Sequence, residues 1–185
     1  MTVHYPKPSA ERSALLEQIK EKALFRGEFT LSSGLKADYY VDLRRINLAG
    51  RIAPLVGRVM LETVADVEFD AVGGLTMGAD PMATAIMYAA VAQDRDMDAF
   101  VVRKAGKAHG LQRRIEGPDI AGRRVLIVED ASTTGNSPLA AVEAAREAGA
   151  EVVAVACIIE RGAEKAIEAA GLPYYAAYGL ADLGI

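Results

Sequence analysis

The sequence predicts an α/β protein: a doubly wound, mainly parallel sheet with a small N-terminal hood. Three observations carry this. From about residue 46 onward, apolar runs of strand length alternate with stretches of helical apolar spacing. Two of those runs, RRVLIV ending at Val128 and EVVAVACII ending at Ile159, are almost uninterrupted, as strands covered on both faces must be. The first 45 or so residues break the alternation. All 185 residues are therefore expected to form one unit, 1–185, with a helix and hood over about 1–45 and an α/β core over about 46–185.

The elements follow in order. Leu15, Leu16, Ile19, Ala23 and Leu24 recur at helical spacing, which predicts a helix from Ser9 to Phe25 with Gly27 as its stop. Glu28 to Leu31 and Asp38 to Leu43 read as short strands flanking a turn over Ser32–Lys36. A helix over about 49–66 leads to a strand over 69–73, and a helix over about 80–93 to a strand over 98–103. A strand over 124–128 leads to a helix over about 136–148. The last elements are a strand over 151–159, a helix over about 163–170 and a strand near 173–178. Met60, Met82 and Met87 fall at helical core positions. Right-handed crossovers between such elements give an open sheet with helices on both faces.

Composition narrows the function classes. Apolar residues at 51% and charged residues at 25% suit an ordinary soluble domain with a real core. A net charge of −4 argues against a nucleic-acid or anionic-membrane binder. Cys157 is the one cysteine and lies inside an apolar run, so it reads as a core filler in a reducing compartment. The polar start MTVHYPKPSAERS lacks the apolar centre of a secretion signal, and no window resembles a membrane span. A cytoplasmic location is expected. His4 carries no assigned role.

The informative stretch is VLIVEDASTTGNS, residues 125–137. An apolar strand ends in Glu129 and Asp130, and the hydroxyl-rich Ser132–Ser137 then opens a helix. In open α/β sheets ligands sit at the carboxyl ends of strands. The free N–H groups at such a helix start bind anions, and Ser and Thr hydroxyls add donors. Carboxylates beside a phosphate repel it unless a sugar diol or a magnesium ion intervenes. The combination reads as a site for a phosphorylated sugar. No Walker pattern and no GxGxxG turn after a first strand is present. A second feature is the long polar stretch between Val102 and Arg123. It carries Arg103, Lys104, Lys107, His109, Arg113 and Arg114 in an otherwise acidic chain, and long loops in compact domains are usually functional.

VLIVEDASTTGNS resembles the phosphoribosyl pyrophosphate motif of the type I phosphoribosyltransferases. The run Arg103-Lys104-Ala-Gly-Lys107-Ala-His109-Gly110 is similar to the RKxxKxHG loop of that family's orotate-using branch. Phe29-Thr-Leu-Ser-Ser-Gly34 with Tyr39 and Tyr40 resembles its hood segment, GGLTMGADP (73–81) its pyrophosphate loop, and Ile159-Glu-Arg-Gly162 its strand-end arginine.

The resemblance implies transfer of a 5-phosphoribosyl group from phosphoribosyl pyrophosphate to orotate, giving orotidine 5-phosphate and pyrophosphate on the route to UMP. It implies that Glu129 and Asp130 take the ribose hydroxyls while Ala131, Ser132, Thr133, Thr134, Gly135, Asn136 and Ser137 wrap the 5-phosphate. Arg103, Lys104, Lys107 and His109 would close over pyrophosphate, with Lys107 and His109 as catalytic residues, and Thr133 and Arg161 would hold orotate. Basic residues at that position make physical sense, because charge builds on the leaving group and a closing lid excludes water. Mg2+ is expected as cofactor, held mainly through substrate and water rather than by direct protein ligands. A homodimer that shares the basic loop is implied as well. Three positions depart from the pattern: Glu129 stands where many relatives carry Asp, and Ser32 and Met77 stand where many carry Lys. With those lysines replaced, pyrophosphate is left to backbone N–H groups and the basic loop. Asp80 reads either as an N-cap for a helix starting at Pro81 or as an acid near magnesium-bound water. Two other readings share the acid pair: a salvage enzyme for a purine or uracil, which has little use for Arg161, and a non-enzymatic sensor of phosphoribosyl pyrophosphate.

Overall fold

The computed structural model describes residues 3–30, 36–104 and 114–185. Helix α1 (Ala10–Lys22) begins at Ser9, whose hydroxyl accepts the N–H of Arg12 at 3.0 Å. That satisfies a donor the first turn would otherwise leave unpaired. The helix ends at Lys22, short of the predicted Phe25, because Leu24 is already paired with Val41 in an antiparallel hairpin of β1 (Leu24–Thr30) and β2 (Lys36–Val41). Gly27 is therefore not a helix stop. With φ at 147° it sits in the irregularity of β1 between Arg26 and Phe29. A single turn, α2 (Arg44–Asn47), follows the hairpin.

The rest is α3 (Ala53–Thr63), β3 (Ala71–Leu75), α4 (Ala79–Val91), β4 (Asp98–Val102), β5 (Ile115–Glu116), β6 (Arg124–Ser132), α5 (Asn136–Glu147), β7 (Glu151–Glu160), α6 (Glu164–Ala169), β8 (Tyr174–Gly179) and α7 (Leu180–Leu183). The main sheet has the order β5-β4-β3-β6-β7-β8 and is parallel except for β5, which pairs antiparallel with β4. The predicted doubly wound, mainly parallel sheet is thus present, with two cores. Leu126 and Val128 point into a core shared with α1, α3 and α4, while Val125 and Ile127 point into one shared with α5 and α6. That is the period-two alternation of a strand covered on both faces. Met60 and Met82 are buried in the first core, with Met87 packed against it.

Three short elements, α2, β5 and α7, have no counterpart in the sequence reading, since two to four residues are too few for a period to register. Cys157 is fully buried, with its sulfur 3.0 Å from the Tyr174 hydroxyl, and burial pushes the thiol well above its ordinary range. His4 gains a role the sequence did not reveal. Its N–H donates to Tyr174 O at 2.8 Å, its carbonyl accepts from Ala176 N at 3.0 Å, and its ring stacks on Tyr175. The N-terminal segment thereby covers the outer edge of β8, an edge that would otherwise expose unpaired backbone. Among the described residues no helix is long and apolar enough to cross a membrane.

The strand order reverses beside β3: β4 follows it on one side and β6 lies on the other. The crevice at the carboxyl ends of β3 and β6 is the place where such a sheet binds ligands.

Candidate active site

Strand β6 runs further than its apolar residues. Pairing with β7 continues past the acids, through Ala131 with Ile159 and Ser132 with Glu160. The predicted end at Val128 is corrected accordingly: the ladder, not hydrophobicity, sets the boundary. Glu129 and Asp130 are thereby fixed in the sheet rather than left on a free loop. Glu129 is only 7% exposed and its Oε1 accepts the Asp130 N–H at 3.2 Å, while Asp130 Oδ1 accepts the Ala131 N–H at 2.8 Å. Burial and the adjacent Asp130 charge push the Glu129 carboxyl up to about 8.

The facing wall comes from the turn between β3 and α4. A Cβ on Gly78 would lie 2.9 Å from Asp130 Oδ1 and 3.0 Å from Glu129 Oε1. Both carboxylates therefore converge over a residue with no side chain. A Cβ on Gly74 would meet the Val128 carbonyl oxygen at 2.0 Å, so the ends of β3 and β6 can approach only because glycine stands there. Helix α4 starts at Ala79 with Gly78 as its cap, so Asp80 is not the N-cap. Instead Asp80 Oδ2 accepts the Thr76 hydroxyl at 2.7 Å and braces the turn.

Between these walls lies a cavity of about 280 Å3, lined among others by Asp42, Arg44, Met77, Lys104, Asp130 and Ser137. Glu129 also lines it, so three carboxylates stand against Arg44 and Lys104. Arg44 and Asp42 are the site residues the sequence reading missed. The signal available was an acid and an arginine two apart at the carboxyl end of β2, where the chain leaves the hood. Arg44 Nε donates to Asp42 Oδ1 at 2.7 Å, and that contact holds the Asp42 carboxyl below its ordinary range.

The loop after the acids turns into α5 at Gly135, whose φ of 78° is left-handed and whose Cα faces Ala166 too closely for a Cβ to fit freely. Thr133, Thr134, Asn136 and Ser137 are exposed at this helix start, while Ser132 is buried. Arg161 donates its backbone N–H to Ser132 O at 2.9 Å, and the carbonyl of Thr133 lies beside Gly162. The Arg161 guanidinium sits over the Tyr39 ring at 5.3 Å, with a buried Nε that has no partner among the described residues. Arg161 is thus outside the 280 Å3 cavity, between the loop after β6 and the hood.

The basic segment is divided. Lys104 reaches the cavity. Arg103 does not: it donates to Glu116 Oε1 at 3.3 Å, and its backbone N–H pairs with Arg114 O. These contacts pin both ends of the segment onto β4 and β5. Lys107 and His109, like Ser32 in the hood turn, lie outside the described residues.

An acid pair beside a hydroxyl-rich helix start, at the reversal point of a parallel sheet, is the arrangement expected of the phosphoribosyl transferase class. Residues 46–170 match the phosphoribosyl transferase domain family. An orotate phosphoribosyltransferase of Streptomyces avermitilis is 68% identical over 177 residues, covering 94% of this chain and 97% of that one. The Mycobacterium tuberculosis H37Rv orotate phosphoribosyltransferase, solved with Fe(III) dicitrate, superposes with a TM-score of 0.85 at 55% identity, over 95% of this chain and 99% of that one. The same enzyme solved with 5-phospho-alpha-D-ribosyl 1-diphosphate gives 0.82 at 50% identity, again over 95% and 99%. The chain belongs to the orotate phosphoribosyltransferase family.

Proposed function

We propose that the chain transfers the phosphoribosyl group of phosphoribosyl pyrophosphate to orotate, releasing pyrophosphate and forming orotidine 5-phosphate for pyrimidine synthesis. The observation that carries this is the convergence of Glu129 and Asp130 over Gly78, next to the exposed Thr133, Thr134, Asn136 and Ser137 at the start of α5. A pentose 5-phosphate satisfies both halves at once: its hydroxyls donate to the acids and its phosphate accepts from the loop. Arg161 and Thr133 hold orotate. A guanidinium suits a planar carboxylate, and Tyr39 positions it from the hood. The orotate ring nitrogen replaces pyrophosphate at the sugar carbon. Lys104 faces the departing group, and Arg103, Lys107 and His109 complete the basic segment over it, with Lys107 and His109 in the catalytic roles.

Magnesium fits the cavity's charge. Asp42 and Asp130 face Arg44 and Lys104 across the cavity, and Glu129 adds a negative charge once it ionises for the ribose, so a cation that enters with the polyanion relieves repulsion from both sides. Among the described residues no group of three or more His, Cys, Asp or Glu is placed to hold a metal. We assign Mg2+ to the substrate's own oxygens and to water. When bound it supplies charge neutralisation on pyrophosphate.

A homodimer is part of the reading. Between α2, α3 and α4 lies an apolar groove of about 950 Å3, and Leu48, Met77 and Tyr88 on it are 71%, 65% and 67% exposed. Apolar exposure of that extent suits a protein interface. Arg44 and Met77 line the groove as well as the cavity, so a second subunit seated there would border the site. Mixed subunits test the sharing: Lys107→Ala paired with Glu129→Ala/Asp130→Ala, each inactive alone, should recover activity in a verified heterodimer. A single buried Cys157 supports a reducing, cytoplasmic setting.

The deciding assay follows orotate absorbance with phosphoribosyl pyrophosphate and magnesium. Orotate is consumed, and uracil, adenine and hypoxanthine are not. Turnover of one of those bases in place of orotate would overturn the assignment.

A further inference from the structure

The turn after β3 carries an exposed Met77, so its side chains offer no cation to the cavity they border. The described cavity nevertheless holds a cation from an unexpected element. Arg44 and Met77 are the two residues that line both the cavity and the neighbouring apolar groove, so they share the partition between them. Arg44 lies at the start of α2, outside the loop and outside the basic segment.

Its orientation is fixed rather than incidental. Asp42 Oδ1 accepts both the Arg44 backbone N–H at 3.2 Å and the side-chain Nε at 2.7 Å. The Tyr40 hydroxyl accepts weakly from one terminal nitrogen at 3.4 Å. One edge of the guanidinium is occupied and the rest of its fork stays open to the cavity; five N–H donors in a rigid plane allow that division. The guanidinium also feels the charge of Asp130. A residue used only to pin α2 to Asp42 would not need to face the acid pair.

We infer that Arg44, oriented by Asp42, binds the pyrophosphate group of phosphoribosyl pyrophosphate, supplying the side-chain cation that the Met77 turn does not. The inference rests on the transfer reaction proposed above. Its chemistry is that of any guanidinium–phosphate pair: two charge-assisted hydrogen bonds to a planar donor fork. Asp42 is a positioning residue, which acts through Arg44. Because the contact is to the leaving group, Arg44 should matter for ligands that carry pyrophosphate and not for the pentose phosphate alone.

The test compares phosphoribosyl pyrophosphate with ribose 5-phosphate, each with magnesium and without orotate, by thermal-melt titration of the intact protein. Arg44→Ala should weaken phosphoribosyl pyrophosphate by about 10- to 100-fold, the range expected for losing charge-assisted hydrogen bonds, and leave ribose 5-phosphate within about twofold. Asp42→Asn should give a smaller loss of the same selectivity. Met77→Lys added to Arg44→Ala should recover most of the affinity, which a purely structural role for Arg44 could not produce. Equal losses for both ligands, or no loss for either, overturns the inference. Since orotate is absent, the comparison is independent of the reaction: wild-type protein that binds selectively but fails to consume orotate refutes the proposed activity alone.

Discussion

The two strands that meet at the sheet's reversal point build their shares of the site in opposite ways. Strand β6 delivers chemistry as side chains: two acids, then a row of hydroxyls. The turn after β3 delivers it by omission. Gly74 lets the strands approach, Gly78 leaves room for both carboxylates, and Met77 contributes no charge. The difference is visible in energetics as well as geometry. Substitutions after β6 should alter ligand binding more than stability. Substitutions in the β3 turn should damage whichever contact their new atoms strike, backbone at Gly74 and carboxylate at Gly78.

Gly74→Ala should have the largest effect. The added Cβ would lie 2.0 Å from the Val128 carbonyl oxygen and 2.6 Å from Ala79 Cβ. Both neighbours are held by the sheet and α4, so the strands must separate. A loss of about 3 kcal/mol or more is expected, in the range of severe overpacking, and a denaturant titration reads it directly. Asp130→Asn comes next. Its carboxylate is half-exposed at the cavity wall, so the fold tolerates the amide while the ribose loses an ionised acceptor. kcat/KM for phosphoribosyl pyrophosphate should fall about 10- to 100-fold, the equivalent of one charged hydrogen bond, with the melting temperature nearly unchanged. If instead Asp130→Asn unfolds the protein and Gly74→Ala leaves it stable, the division between the two strands is wrong.

Legibility in the sequence followed the same division. Side-chain chemistry in a short run is readable, so Glu129, Asp130 and the hydroxyl loop stood out, as did the alternation that gave the sheet. What depends on pairing was not readable. Nothing in the letters says that β6 continues through its acids, or that Leu24 belongs to a hairpin rather than to α1, because ladders are formed with residues far along the chain. The role of Gly78 was hidden for a related reason: a glycine can be a hinge, an anion cradle or a close approach, and only the facing carboxylates decide. Arg44 was missed because α3, β3, α4, β4 and β5 separate it along the chain from Glu129 and Asp130, and only the fold brings it to the cavity they line.

Gly78→Ala sharpens the contrast with Gly74. Its new Cβ would press on Asp130 Oδ1 and Glu129 Oε1, the ends of side chains rather than backbone. Those ends can shift by a few tenths of an ångström, so the fold survives while the acid pair moves. KM for phosphoribosyl pyrophosphate should rise several-fold, within about 1 kcal/mol, with stability unchanged or slightly improved by the loss of a glycine. A melt and a Michaelis curve on the same preparation separate these outcomes.

The expected effect that shows only as pH rises concerns the cost of keeping Glu129 where it is. Burial and the Asp130 charge raise its carboxyl from an ordinary 4.5 to about 8. In that window the folded chain keeps a proton that the unfolded chain releases, so stability is fullest below pH 4.5 as far as this group is concerned, and falls as pH rises toward 8. Glu129→Gln removes the titration while keeping shape and one acceptor. Melting curves from pH 5 to about 9 should therefore slope downward in the wild type and flatten in the variant, which should melt higher at the alkaline end. Ribose hydroxyls call for the charged form, so wild-type binding of phosphoribosyl pyrophosphate at neutral pH should release a proton, and calorimetry in buffers of different ionisation enthalpy counts it. A wild type with no slope and no proton release would mean that Glu129 is already ionised in the free protein. The β6 side of the site would then carry no strain that its ligand relieves.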